Sequence, residues 1–369
     1  KSWRMMGEFS GVLDPPIDVR PVDTQVDDLI AEIRDRVDAL PRVRLALLPT
    51  PFHEAPRLAE AIGVGRLFFK RDDLTGLAFG GNKTRNLEFR MADAVEQGAD
   101  VFIAGLEVHS NSARQVTAAA NLLGMSPILL LRTDEAVEWQ GNVLIDRVLG
   151  ADIRFVQTTD KAVMDRALSE VADEQRRLGK KPFVMNHNPS FAIGSALAYV
   201  LCALEIAEQS AAAEIEPTHL YMASGNKGHA GLLLARELLG AKFRPVAISQ
   251  HYAGDRVSGA LDGAHAAAAA LGYETRLTEA DVESYEDFVE TRYGAPSQRG
   301  LEAIALAART EGILLDPIYT GKAMAGLIEH ARTGKVGPES TVVFVHTGGQ
   351  TALFSFADAL LDAFPLTAD

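Results

Sequence analysis

From Asp100 onward, short apolar runs alternate with longer segments of helical spacing, and this alternation constrains the fold of the 369-residue chain more than any other feature. Val101–Gly105, Ile128–Leu131, Ile153–Val156, Phe183–Met185, Leu220–Ala223, Val246–Ser249 and Val342–Val345 read as buried strands. Between them, Ser112–Leu123, Lys161–Leu178, Ile193–Glu208, His229–Leu239 and Glu302–Arg309 carry helical periodicity. Strands separated by helices of this length form βαβ units and a parallel sheet. There are more strands than one comfortable sheet needs, so the expectation is an α/β protein with two sheets in two closely packed lobes.

Residues 1–45 differ in character. Pro15, Pro16 and Pro21 mark an N-terminal arm, and Asp27 to Leu40 reads as an amphipathic acidic helix that packs on the body or on a partner subunit. Ala264–Ala270 is alanine-heavy but helical, and no solenoid-length repeat is present. The net charge of −14 argues against a broad nucleic-acid or anionic-membrane surface, though not against a local basic pocket. A single cysteine, Cys202, excludes an internal disulfide framework and a cysteine-cluster zinc site. No apolar run approaches the roughly 20 residues of a bilayer span. Lys1 to Asp18 lacks the apolar core of a signal peptide, so a cytoplasmic setting is expected.

Several short segments point to chemistry. In Gly80-Gly81-Asn82-Lys83-Thr84-Arg85-Asn86-Leu87-Glu88, a lysine follows an open Gly-rich turn at the start of a helix. A helix N-terminus disfavours a cation. The placement makes sense where the amine is needed uncharged, as for a Schiff base; otherwise Lys83 is a surface loop lysine. In Glu107-Val108-His109-Ser110-Asn111-Ser112, the hydroxyls and amides at a helix start either cap it or bind a carboxylate. Ser224-Gly225-Asn226-Lys227-Gly228 follows an apolar strand and opens a helix, an arrangement that cradles a phosphate with backbone N–H groups. Many Gly-rich turns have only steric reasons. Thr347 follows a strand at its carboxyl end, where open α/β sheets bind ligands, or caps a helix over Thr351–Leu361. His109, His187 and His346 share no helix at metal-ligand spacing, so no metal site is expected. Gly63-Val64-Gly65 lacks a third glycine and precedes its strand, which excludes a nicotinamide-binding fingerprint.

Taken in order, Leu48-Pro49-Thr50-Pro51-Phe52, Lys70-Arg71-Asp72-Asp73, Gly80-Gly81-Asn82-Lys83, Leu315 to Ala323 and His346-Thr347-Gly348-Gly349 resemble the pyridoxal-phosphate enzymes that include D-cysteine desulfhydrase, 1-aminocyclopropane-1-carboxylate deaminase and L-cysteate sulfo-lyase. The resemblance runs from about Leu47 to Phe356. It implies a tryptophan-synthase-β-like fold and pyridoxal 5'-phosphate held by Lys83, with Asn82 beside the phenolic oxygen of the cofactor. It further implies a large cofactor-binding lobe from 46–84 plus 200–369, a small lobe from 85–199, and a homodimer. Ser110 and Asn111 match the positions that contact the substrate carboxylate, while His109 and Ser112 replace a Gln and a His. The phosphate loop, roughly Gly-Ser-Gly-Gly-Thr in the family, is altered here, with Asn226 and Lys227 replacing glycines and Gly228 the Thr. Lys227 then contacts either phosphate or substrate. Tyr293-Gly294-Ala295-Pro296 resembles a Tyr-Gly-Ile-Pro stretch whose Tyr lies near cofactor and substrate; without the family, Tyr293 reads equally as a buried aromatic at a lobe junction. Phe288 stands where relatives have a further Tyr, and Thr347 would face the pyridine nitrogen.

The function that follows from the resemblance is a lyase that eliminates a β-substituent from a small amino acid, giving a keto acid and ammonia. Lys83, Ser110 and Tyr293 are its expected catalytic residues. Ring opening of 1-aminocyclopropane-1-carboxylate is the alternative, and Gly294 counts against it because those deaminases carry a Glu there. A cofactor- or ligand-binding protein without turnover is the third possibility. His109, Lys227, Asn186 and His187 predict a pocket more polar and cationic than a thiol leaving group needs.

Overall fold

The computed structural model describes residues 24–133, 136–158, 160–188, 190–252, 254–290 and 292–365. The arm with Pro15, Pro16 and Pro21 lies outside the described residues, as does Pro189. Among the described residues the strands form two sheets. The first runs in the order β1 (Phe52–Glu54), β2 (Arg66–Lys70), β10 (Thr341–Val345), β7 (His219–Ala223), β8 (Arg244–Ile248), β9 (Glu283–Tyr285). The second runs in the order β5 (Asp152–Val156), β4 (Ser126–Arg132), β3 (Val101–Glu107), β6 (Pro182–Val184). Every pairing is parallel except that of β1 with β2.

All seven strands read from the sequence are present, and their apolar character has a packing cause. Each sheet is covered on both faces, so neither face of a central strand meets water. On one side of the larger sheet, Leu220, Met222, Val343 and Val345 pack with the helices Ser190–Ala212, Lys227–Leu238 and Arg256–Leu271. On the other, Tyr221, Val246 and Phe344 pack with Gln298–Glu311 and Thr320–Arg332. The smaller sheet likewise sits between Leu87, Met91 and Val116 on one face and Met164 and Leu168 on the other. The acidic N-terminal helix is Thr24–Asp38, and it packs on the body. Ile30, Ile33 and Val37 join the larger core, and Arg34 pairs with Glu208 at 2.8 Å.

Two expectations are corrected. Phe183–Met185 is a strand only over Pro182–Val184, because Met185–His187 turns into a 3-10 helix. Thr351–Leu361 is not one helix capped by Thr347. Gly348 and Gly349, both at positive φ, lie between, and the segment divides into Ala352–Ser355 and Ala357–Ala363. Thr347 is therefore free of a capping role.

The helix Lys83–Glu96 positions the site. It packs on Ser190–Ala212 from the larger body and on Asn111–Leu122 from the smaller, and almost its whole length is buried. Its polar residues are pinned by long-range bonds. Glu88 accepts from Leu45 N at 2.8 Å and Ala46 N at 2.9 Å and pairs with Arg42. Arg85 enters a buried ionic cluster with Asp72, Glu205 and Lys70.

Candidate active site

A cavity of about 650 Å³ opens where β3, β7, β8 and β10 end in their carboxyl termini, the place where parallel α/β sheets bind ligands. It gathers Asn82, Lys83, Ser110, Asn111, Tyr293 and Thr347 with the turn Ser224, Gly225, Asn226, Lys227 and Gly228. The structure thus brings together the site residues read from the sequence except His109, Asn186 and His187.

Lys83 is the first residue of its helix, and Asn82 precedes it as N-cap. The turn before them is held by the Gly81 N–H to Asp72 O at 3.1 Å and the Asn82 N–H to Thr347 O at 3.0 Å. Two glycine turns meet here. Gly81 has φ +117, Gly348 has φ +94, and a Cβ on Gly348 would lie 2.7 Å from the Gly81 Cα. Only glycine fits this conformation and this approach. The Lys83 amine donates to Asn82 Oδ1 at 3.2 Å, and Asn82 Nδ2 donates to Tyr199 Oη at 3.0 Å. Burial, then the Arg90 guanidinium, lower the Lys83 pKa to about 8. An amine so placed reaches its neutral, nucleophilic form near physiological pH.

Two helix N-termini face the same space. Ser110 caps Asn111–Leu122, its Oγ accepting from the Ser112 N–H at 3.1 Å. Asn142 Nδ2 occupies Asn111 Oδ1 at 2.9 Å, which leaves the Asn111 amide N–H₂ for the cavity. Opposite, Ser224 to Asn226 turn β7 into Lys227–Leu238, whose first N–H groups have no intrahelical acceptor. Burial, followed by Arg90 and Lys83, lowers the Lys227 pKa to about 8. Burial lowers Arg90 to about 9, and its guanidinium donates to Ser195 Oγ at 2.5 Å. This end of the cavity is strongly cationic within a chain of net charge −14.

The far wall is Tyr293 and Tyr319, whose hydroxyls are 2.5 Å apart, together with Glu107, paired with Arg132 at 2.6 Å across adjacent strands. Burial pushes Tyr293 up to about 12 and Tyr319 well above its ordinary value, so both hydroxyls stay protonated at neutral pH. Glu107, Arg132, Tyr293 and Tyr319 also line an adjoining cavity of about 640 Å³. His109 belongs to that second cavity. It sits in the turn before Ser110, against the Phe356 ring at 5.7 Å. Gly294 lines it too.

The expectation of a pocket made polar by Asn186 and His187 is corrected. Asn186 spans Gly105, accepting from its N–H at 2.8 Å and donating to its carbonyl at 2.9 Å, and His187 is exposed; neither lines the cavity. Phe288 is a core residue packed under the Arg299 guanidinium at 4.8 Å, so the Phe in place of Tyr does not alter the site. His346 is buried, bonded through Nε2 to Leu314 O and through Nδ1 to the Gly348 N–H. No group of three metal-ligating side chains occurs among the described residues. Sequence reasoning missed Asn86, Arg90, Ser195, Tyr199, Gln250, His251 and Tyr319. Gln250 and His251 follow the end of β8 and were recoverable from that signal; the others come from helices or from loops far along the chain.

Pyridoxal phosphate fits this cavity on two observations. Lys83 faces a cationic end built on a Gly-containing helix start, which suits a phosphate dianion. In addition, Asn86 Oδ1, Gln250 Oε1 and His251 Nδ1 are buried around the cavity without a hydrogen-bond partner, and a polar ligand satisfies such groups.

Comparison with known proteins agrees. A protein of Pyrococcus horikoshii, provisionally named a 1-aminocyclopropane-1-carboxylate deaminase, is 38% identical over 323 residues, 87% of this chain and 95% of its own. A D-cysteine desulfhydrase of Klebsiella pneumoniae is 38% identical over 324 residues, 86% of this chain and 96% of its own. A crystal structure described as an ACC deaminase homologue superposes with a TM-score of 0.82 at 36% identity, covering 90% of this chain and 99% of that one. No helix among the described residues is long and apolar enough to cross a membrane. Residues 43–348 match the family model of pyridoxal-phosphate-dependent enzymes, and with a lysine of lowered pKa set between two helix N-termini, the chain belongs to that family.

Proposed function

We propose that this enzyme is a lyase that expels a β-substituent from a small amino acid, releasing a keto acid and ammonia as a D-cysteine desulfhydrase does. The observation that carries the reading is the position of Lys83. Its amine lies between the Ser110–Asn111 helix start and the Ser224–Gly228 turn, so one cavity offers a carboxylate site and a phosphate site around a base. The bound cofactor supplies an electron sink conjugated to the substrate Cα.

The protein's own groups do the rest. The Ser110 hydroxyl and Asn111 amide hold the substrate carboxylate at the N-terminus of Asn111–Leu122. Lys83 Nζ takes the α-proton, its pKa of about 8 matching a general base near neutral pH. Tyr293, polarised by its bond to Tyr319, holds a proton toward the departing β-group. Thr347 lines the same cavity with a neutral hydroxyl and would hold the pyridine nitrogen of the cofactor without protonating it, which suits elimination with little carbanion build-up.

Ring opening of 1-aminocyclopropane-1-carboxylate is the second reading, since that activity appears in the names of relatives. Gly294 weighs against it. The backbone there is at φ +81, a conformation that favours glycine over the carboxylate that reaction uses, and the residue faces the adjoining cavity. The test is a screen of D- and L-cysteine, cysteate and 1-aminocyclopropane-1-carboxylate for keto-acid and ammonia release. Turnover of the β-substituted amino acids above the cyclopropane is expected; the reverse preference would replace this reading with the second.

We assign Lys227 to the cofactor phosphate. It opens the helix after the phosphate turn and shares its field with Arg90 and Lys83. Lys227→Met is expected to weaken cofactor binding about ten- to a hundredfold, the worth of one charge-assisted contact. The ratio of kcat/KM for cysteate over cysteine should stay unchanged. A fall in that ratio with normal cofactor affinity would move Lys227 to the substrate.

We further assign 46–84 plus 200–369 to a cofactor-binding lobe and 85–199 to a small lobe, which the separate cores of the two sheets support. We also assign the chain to the cytoplasm as a homodimer. The dimer is supported by an apolar groove beside the Gly80 turn, where Phe79 and Phe354 are 71% and 72% exposed.

A further inference from the structure

Asn82 gives the hydrogen bonds around Tyr199 a direction. A lysine nitrogen donates, so the oxygen of the Asn82 amide faces Lys83, 3.2 Å away, and its nitrogen faces Tyr199 Oη, 3.0 Å away. The Tyr199 oxygen is therefore the acceptor in that bond, and its own O–H points elsewhere. No described residue accepts from it. Tyr199 is buried and borders the cavity, and its orphan donor lies next to Asn82 at the Lys83 helix start. Leaving such a donor unmade is costly in a buried site.

The ring is fixed in this position. A Cβ on Gly228 would lie 3.2 Å from its Cδ2 and Cε2, and one on Gly231 would lie 2.7 Å from its Cβ. The two glycines let the helix that follows the phosphate turn close on Tyr199. The hydroxyl is thus held at the junction of the Lys83 start and that turn. Burial, with the Asp72 carboxylate and Cys202 nearby outweighing Asn82 and Arg85, keeps it protonated at all working pH.

We propose that Tyr199 is a cofactor-contacting residue whose O–H donates to the phenolic oxygen of pyridoxal phosphate, sharing that oxygen's environment with Asn82. In the cofactor, that oxygen is attached to the ring carbon next to the one bearing the carbon that joins the lysine. A donor fixed beside Lys83 therefore meets it as the acceptor. A hydrogen bond to the phenolate favours it over the phenol, and so keeps the neighbouring proton on the nitrogen of the cofactor–lysine linkage. That is the form in which the ring withdraws electrons best. The inference rests on the proposed attachment at Lys83.

The test is absorption spectroscopy of the holoenzyme. Tyr199→Phe removes only the hydroxyl. With cofactor content matched, the long-wavelength band of the phenolate form should fall about tenfold relative to the short-wavelength band of the phenol form at fixed pH. Replacement of Tyr199 by 3-fluorotyrosine, a stronger donor of nearly equal volume, should move the ratio the other way, and decides the matter if the Phe variant folds poorly. An unchanged ratio in these variants overturns the assignment and leaves Tyr199 as a prop for Asn82, in which case only Asn82→Ala would move the bands. Borohydride reduction of the wild type separates the two levels of the argument. A pyridoxyl group on Lys83 with unresponsive bands sinks the Tyr199 inference alone; its absence from Lys83 sinks both.

Discussion

Lys83→Ala is expected to abolish the covalent cofactor chromophore and lower turnover on the order of 10³-fold or more, while the protein stays folded. The other buried lysines explain why no substitute takes over. Lys322 donates to Val289 O at 2.9 Å and does not line the cavity. Lys70 is bonded to Thr50 O, Glu205 and Gln209. Lys227 does face the cavity, yet it opens the helix that follows the Ser224–Asn226 turn. Retention of the fold follows from proton linkage. The Lys83 pKa, lowered from 10.5 to about 8, means that the folded chain binds this proton less tightly than the unfolded chain. At neutral pH the charged amine is thus a penalty on folding, and alanine removes it along with one bond to Asn82. Absorbance and peptide mass mapping after borohydride reduction check the result. A pyridoxyl group on Lys227 or Lys322, or a visible band surviving in Lys83→Ala, would refute the assignment.

The local signals in the sequence were enough to find seven of the strands, the Lys83 turn, the Ser224–Gly228 turn and the Ser110 cap, since each is made by neighbouring residues. A buried strand announces itself as an apolar run, and a ligand-facing turn as glycine at a strand end. β1 and β9 escaped because Phe52–Glu54 and Glu283–Tyr285 are three-residue edge strands with no apolar run. Arg90, Ser195 and Tyr199 escaped for a different reason. They sit inside helices whose sequences read as core, and they reach the cavity only because Lys83–Glu96 packs against Ser190–Ala212. Asn82 and Tyr199 are 117 residues apart in the chain. His109 shows the converse. It adjoins Ser110 in sequence, but its turn directs it to the adjoining cavity, while its carbonyl accepts from Asn142 Nδ2 at 3.0 Å.

The same helix pair accounts for the largest stability effect, expected at Glu205. Its carboxylate, nearly buried on Ser190–Ala212, takes Lys70 Nζ at 2.6 Å and Arg85 at 2.7 and 2.8 Å. Arg85 also binds Asp72 at 2.8 and 2.9 Å, and Thr50 bridges both acids. Two cations and two anions balance. Glu205→Ala leaves Lys70 and Arg85 against Asp72 alone, a buried uncompensated charge, and should cost about 3–5 kcal/mol. Glu205→Gln, which keeps the volume and an acceptor, should cost less. The pH dependence gives a second readout. Burial pushes the Glu205 pKa up, but Arg85 and then Lys70 more than offset it and hold it at about 2, below the unfolded value of 4.5. Its contribution is therefore complete above about pH 4.5 and is lost as pH falls toward 2. Denaturation of the wild type and Glu205→Ala at equal cofactor loading should show the gap between them narrowing over that window. Because Arg85 lies two residues after Lys83 on the same helix, the variant should also loosen the Asn82–Lys83 turn and weaken cofactor binding. A loss below about 1 kcal/mol, or a gap that does not change with pH, would show that the cluster does not hold this helix in place.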